Sequence, residues 1–245
     1  MTYCIALRLD DGLVFLADTR TNAGVDNIST YRKLHVFQPT SDRVFVLESA
    51  GNLASTQQVL DRIEQDLANP DEESLATVTH LSEAALYIGR LSRQVVIEHR
   101  DALASVGADA TSTFILGGQI AGERPDILLV YPEGNYIRAS DDRPFLQIGE
   151  TKYGKLMLEL AVRGQVDVDD AATIAISSML STAHANLSVG APYDLAIYRN
   201  GSLELEQGRI EADSPLLDEL RREWLNQLMA AVSVLPRVRP SDLTT

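Results

Sequence analysis

The sequence predicts an α+β fold, a four-layer αββα sandwich in which two antiparallel sheets lie between layers of helices. Three observations lead to it. Strand-like segments and longer helical segments follow one another as strands, helix pair, strands, helix pair, strands, helix. Most of the helical segments carry an apolar stripe that has to be covered by a sheet. The 245 residues hold no Pro/Gly/Ser-rich linker. One domain is therefore expected over residues 1–233, with an irregular tail over 234–245.

The chain opens with residues of strand type over 2–9, a turn at Asp10-Asp11-Gly12, and an apolar run over 13–17, which together predict a β-hairpin beginning at Thr2. A looser polar stretch over 19–30 contains Gly24 and several Asn and Asp residues. Short strands are expected at 33–37 and 44–49. Leu53, Leu60, Ile63 and Leu67 then recur at helical spacing until Asn69-Pro70 stops the run. A second helix follows from the stripe that starts at Leu75 and Val78 and ends at Val95, with a cap expected within 71–74.

Four short consecutive strands, 112–116, 127–131, 136–139 and 145–148, supply the sheet that these helices cover. The next helical pair spans 153–162, stopped by Gly164, and 169–187, whose Ala, Ile and Met content implies burial on most sides. Asp167 to Asp170 read as the cap of the second. A strand at 194–198 turns at Asn200-Gly201 into a return strand at 203–205, and Ser214-Pro215 opens the last helix, which carries Leu217, Leu220, Trp224 and Leu228.

Composition narrows the function. With 35 Asp+Glu against 21 Lys+Arg, the formal charge of −14 disfavours capture of nucleic acid or of an anionic membrane. No apolar stretch approaches a membrane span, and the start lacks a basic region followed by an apolar run, so a cytoplasmic protein is expected. The lone Cys4 forms no internal disulfide; it reads as a small buried residue with a candidate thiol as the alternative. Four histidines share no ligand spacing, Asp167 to Asp170 lacks the glycine and distal glutamate of a calcium loop, and Gly117-Gly118 is too sparse for a phosphate loop. No metal and no cofactor are expected.

The most informative residue is Thr2, because removal of Met1 would place a hydroxyl nucleophile and an α-amino base on one residue. From Thr2-Tyr3-Cys4-Ile5-Ala6 through Ala17-Asp18-Thr19-Arg20-Thr21-Asn22, with Ser29 to Lys33 and Ser49-Ala50-Gly51-Asn52 downstream, the chain resembles the proteasome β-subunit family of N-terminal nucleophile hydrolases. The likeness is strongest to its bacterial ancestral β-subunit branch, Anbu. The resemblance implies that Thr2 Oγ attacks a peptide carbonyl while the Thr2 amine takes its proton. Lys33 lowers the affinity of that amine for a proton, Asp18 holds Lys33, and the Gly51 N–H stabilises the oxyanion. Gly51 reads equally as punctuation of a strand-to-helix turn. Asn22 and Gly51 would pair with the substrate backbone, while Thr21, Tyr31, Ser49 and Leu53 line the first specificity pocket, which is uncharged and suits a small to medium neutral side chain.

Two departures from the family pattern stand out. Gly149-Glu150-Thr151 replaces a Gly-Ser-Gly turn, which brings Glu150 or Thr151 to that region. The family's Asp three residues before a Ser is matched only by Ser188, with Ala185 in the Asp position and Asn186 beside it. Ser188 is kept as an orienting residue, the alternative being a helix C-terminal serine. The resemblance further implies a homo-oligomer, as a ring or an open helical assembly, acting on a peptide or unfolded protein. Two rivals remain: an assembly protein with little peptidase activity, and a small-molecule amidase of the same chemical class.

Overall fold

A computed structural model describes residues 1–22, 28–105 and 107–239, with Asn22 and Ile28 described by their backbone alone. Gly24 and the end of the tail, residues 240–245, lie outside the described residues. The fold is a mixed α/β arrangement with two five-stranded antiparallel sheets and, among the described residues, five helices.

The first hairpin forms from β1 (Tyr3–Arg8) and β2 (Gly12–Asp18), with Cys4 opposite Ala17 and Leu7 opposite Val14. Both strands are buried along nearly their whole length, which explains why their apolar runs are continuous rather than alternating. Residues 20–30 hold a short ribbon, β3 (Arg20–Asn22) against β4 (Ile28–Thr30), where the sequence suggested only a polar stretch. Its three-residue strands are too short and polar to carry a periodic signal. β5 (Leu34–Phe37) and β6 (Arg43–Gly51) follow, and then α1 (Leu53–Ala68).

Helix α2 (Leu81–Ser105) starts later than the apolar stripe implied. Leu75 and Val78 are buried by turns instead of by a helix, and the Thr79 amide and hydroxyl both donate to the Glu83 carboxylate at the actual start. Burial sets a stripe without fixing the backbone that delivers it. β7 (Ser112–Ile120), β8 (Asp126–Val130) and β9 (Tyr136–Arg138) complete one sheet in the order β5-β6-β7-β8-β9.

The fourth strand of that expected group, β10 (Phe145–Gly149), belongs to the other sheet, whose order is β10-β1-β2-β11-β12. It pairs with β1, Tyr3 opposite Gly149, and so runs beside the residue that follows Thr2. Helix α3 (Lys155–Ala161) precedes α4 (Val168–Ala185), which is capped as read: the Asp167 carboxylate accepts from the Asp169 and Asp170 amides. β11 (Tyr193–Arg199) pairs with β2. Its partner β12 (Leu205–Ile210) begins where the expected return strand ends, because Leu203 sits in the turn at φ +53°. β12 is a largely exposed edge strand, so it shows no apolar alternation. α5 (Pro215–Ser233) closes the described fold, with Pro215 in its first turn.

Three apolar clusters hold these elements. Tyr3, Ile5 and Leu7 of β1 pack with Ala175 and Met179 of α4. Phe45, Leu47 and Phe114 pack with Ile63 of α1 and Ile88 of α2. Cys4, Ala6 and Phe15 meet Val44, Val46 and Ile115, joining the opposite faces of the two sheets. Alternate residues of β1 thus feed different clusters, as the two-residue period of a strand requires. Among the described residues no helix is long and apolar enough to cross a membrane.

Candidate functional site

The β3–β4 ribbon folds the chain back so that Lys33, just before β5, returns beside Asp18 at the end of β2. Backbone bonds fix the return: the Tyr31 amide donates to the Thr19 carbonyl at 2.8 Å, and the Ser49 amide donates to the Lys33 carbonyl at 3.0 Å. The Lys33 ammonium donates to Asp18 Oδ1 at 2.7 Å, to the Arg20 carbonyl at 2.7 Å and to the Met1 carbonyl at 3.5 Å. Its three N–H groups therefore have three acceptors, and the last is the carbonyl of the Met1–Thr2 peptide bond.

Asp18 is fully buried and Lys33 is 6% exposed. Asp18 Oδ1 also accepts from the Tyr3 amide at 2.9 Å, and Oδ2 accepts from the Gly190 amide at 3.3 Å. Burial pushes the Asp18 carboxyl up, and the Lys33 charge with these hydrogen bonds opposes that rise. A buried pair of this kind gives little net stability, since removing two ions from water costs about what their attraction returns. Burial and the nearby Lys33 charge together lower the proton affinity of the chain's terminal amine, at present that of Met1, while Asp18 opposes them.

Thr2 itself is half-buried at the mouth of this arrangement. Its carbonyl accepts from the Glu150 amide at 2.7 Å. Gly149, at φ +85°, makes this approach possible, because a Cβ there would lie 1.9 Å from the Thr2 carbonyl oxygen. The next residue anchors the strand: the Tyr3 hydroxyl shares a hydrogen bond with Ser178 Oγ of α4 at 2.8 Å and accepts from Gln147 of β10. Burial pushes that phenol up to about 12.

Gly51 ends β6 at φ +123°, where a Cβ would meet the Thr111 carbonyl at 2.5 Å. Asn52 follows as the N-cap of α1, its Oδ1 accepting from the Ser55 amide at 3.1 Å, so Gly51 does mark a strand-to-helix turn. Ser49 is buried beside Lys33, Tyr31 is exposed, and Leu53 opens α1 half-buried. Thr21 Oγ1 is buried with no hydrogen-bond partner among the described residues. The side chain of Asn22 lies outside the described residues. Ser188 enters through its backbone, its amide donating to Asn186 Oδ1 at 3.0 Å.

Two features escaped sequence reasoning, while the burial expected of Cys4 is found. Asn186, the residue beside the expected position, points inward while Ala185 is exposed: Asn186 Nδ2 donates to Glu150 Oε2 at 3.0 Å and lies 3.8 Å from Met1 Sδ. Glu48 is fully buried in β6, with neither carboxyl oxygen partnered among the described residues, and burial, opposed only by the Leu16 backbone, raises its carboxyl well above the ordinary range. A lone acid inside Val44-Phe45-Val46-Leu47-Glu48 was the available signal. Cys4, also fully buried, has its thiol pushed up by burial first and by Glu48 second, so it is a poor nucleophile.

A groove of about 330 Å³ adjoins the site, sharing Arg20 and Gly190 and bounded by Leu187, Tyr193 and Trp224. A larger concavity, about 1130 Å³, opens at Arg8, Asp126 and Arg138, the far end of β1 from Thr2, and its facing charges are paired with one another. Among the described residues no group of three or more His, Cys, Asp or Glu is placed to hold a metal ion.

No protein-family model and no curated protein matches the chain. Solved structures do. Anbu (ancestral beta-subunit) from Yersinia bercovieri is 42% identical over 97% of this chain and 98% of its own, with a TM-score of 0.89. Anbu from Hyphomicrobium sp. strain MC1 is 43% identical over 97% and 99%, with a TM-score of 0.87. The Anbu complex from Pseudomonas aeruginosa, solved as a helical assembly, is 38% identical over 98% and 99%, with a TM-score of 0.89.

Proposed function

This chain belongs to the Anbu family, the ancestral β-subunits of the proteasome-like N-terminal nucleophile hydrolases, and from that membership we propose that it is a threonine peptidase acting through Thr2 once Met1 is removed. The observation that carries the reading is the Lys33 ammonium, held by Asp18 at 2.7 Å and reaching the carbonyl of the Met1–Thr2 bond. A cation there keeps the freed Thr2 amine neutral near physiological pH, so that it can act as a base.

The reaction proceeds from this placement. Thr2 Oγ bonds to the substrate carbonyl carbon as its proton passes to the Thr2 nitrogen, and the Gly51 N–H receives the oxyanion. Collapse breaks the C–N bond, and the ammonium returns the proton to the leaving nitrogen. Water then attacks the ester, its proton goes to the same amine, and Thr2 Oγ is released with a proton. Asn22 and Gly51 align the peptide as an added strand, Thr21, Tyr31, Ser49 and Leu53 form the first pocket, and Ser188 helps to orient the terminus.

The three apolar clusters support a four-layer αββα sandwich over residues 1–233, with 234–245 as a tail. Leu216, Leu228, Met229 and Val232 of α5 are exposed, as is Val234 just beyond it, which suits a cytoplasmic homo-oligomer, ring or helix, like the assembly of the Pseudomonas relative. Thr2→Ala is expected to abolish hydrolysis of short fluorogenic peptides, with the mature N-terminus read by mass spectrometry. The Met1 thioether beside Asn186 favours one rival, an assembly protein that retains Met1 and cleaves little. Intact Met1 together with equal activity of wild type and Thr2→Ala would establish that rival.

A further inference from the structure

We propose that the Glu150 carboxylate, aimed by Asn186, is the counter-charge for the Thr2 ammonium that forms when Thr2 Oγ loses its proton. The inference rests on the Thr2 reading above and adds a residue to it. Glu150 is bound to Thr2 through the backbone, its amide donating to the Thr2 carbonyl at 2.7 Å, so its side chain starts one residue from the nucleophile. That side chain is fixed by Asn186 Nδ2 at 3.0 Å, and Asn186 is fixed in turn by the Ser188 amide on its Oδ1 and by its own amide on the Thr182 carbonyl. The same Asn186 Nδ2 lies 3.8 Å from Met1 Sδ. Glu150 and Asn186 thus border the space that Met1 fills, and removal of Met1 opens that space beside the new amine.

The charged groups around the terminal amine divide by side. Lys33 with Asp18 approaches from β2 and the ribbon, and Arg20 is turned away, its guanidinium donating to the Leu187 carbonyl at 2.9 Å. Glu150 approaches from the end of β10. Asp18 is engaged by Lys33 and by the Tyr3 and Gly190 amides, which leaves Glu150, bound only by Asn186 among the described side chains, as the carboxylate able to accept from an ammonium. Two consequences follow with opposite signs. The carboxylate favours the protonated amine at rest, which moves the onset of reactivity to higher pH. It also holds the ammonium as the hydroxyl proton arrives, which raises the maximal rate. A purely structural role for Glu150 would change neither in this paired manner.

The test is the pH dependence of acylation by a tripeptide β-lactone, read as the mass of the N-terminal peptide of the assembled protein, with unfolding followed in parallel. Glu150→Gln is expected to bring the half-maximal pH down by about one unit and to lower the plateau rate several-fold; Asn186→Ala, which releases the carboxylate from its aim, is expected to shift both in the same direction by less. If Glu150→Gln fails to fold, the downward shift in Asn186→Ala, which leaves Glu150 in place but unaimed, remains decisive. An adduct on Thr2 with an unchanged half-maximal pH in the variants overturns the role of Glu150 alone. No adduct in the wild type at any pH overturns the Thr2 reading, and this inference with it.

Discussion

Asp18 and Glu48 are both fully buried carboxyls, yet they live in opposite surroundings. Asp18 accepts from the Lys33 ammonium and from the Tyr3 and Gly190 amides. Glu48 has no hydrogen-bond partner among the described residues, and burial dominates its carboxyl, opposed only by the nearby Leu16 backbone. The difference separates two uses of burial. Around Asp18, low dielectric strengthens a specified ion pair that faces the Met1–Thr2 bond. Around Glu48 it raises the proton affinity of a carboxyl that has no cation beside it, at a cost in stability.

Breaking the paired side should have the largest effect. Lys33→Ala leaves Asp18 buried without its cation and is expected to destabilise the fold by about 3–5 kcal/mol, measured by urea unfolding. The double variant Asp18→Asn/Lys33→Met, which keeps an oxygen for the Tyr3 amide, is expected to recover part of that stability while staying inactive towards peptides. If Lys33→Ala costs nothing, the two carboxyls do not differ in the way their contacts imply.

The unpaired side should respond with the opposite sign. Glu48→Leu is expected to stabilise by about 1–3 kcal/mol at neutral pH, because it removes an unsatisfied buried group. The sign of the pH dependence follows from linkage. The folded Glu48 carboxyl lies well above its ordinary value of 4.5, so above that value the unfolded chain binds fewer protons than the folded one, and wild-type stability falls as pH rises. The gap between Glu48→Leu and wild type should therefore widen upward from about pH 4.5, and a gap that narrows instead would show Glu48 to be charged and paired. The smallest effect is expected from Cys4→Ala, about 1 kcal/mol for one lost buried atom. It should leave the pH dependence from Glu48 in place, since desolvation and not the thiol raises that carboxyl.

Asp18 and Lys33 were legible because each lies in the short N-terminal stretch whose residue order carries the family likeness, and the ribbon between them simply closes the distance. Glu150 is legible only as a departure from the family pattern, and nothing in the sequence pairs it with Asn186. Ala185 faces solvent and Asn186 faces the site because α4 ends there: Asn186 is the C-cap with extended backbone, so helical spacing no longer says which side chain turns inward. Thr21 Oγ1 and Glu48 stand out as orphans only once their neighbours among the described residues have positions.

By itself the sequence determined most of the local elements, the first hairpin among them, since strand and helix periods, Asx and proline caps and turn glycines act over a few residues. It also placed a nucleophile candidate at residue two. Tertiary structure alone decided that β10 leaves its sequence neighbours to pair with β1, which brings Gly149 and Glu150 against Thr2. It alone decided that α2 waits until Leu81. The physical reason is the same in both cases: an apolar strand or stripe specifies that it must be covered, while the choice of which surface covers it depends on all the other elements competing for the same two sheets.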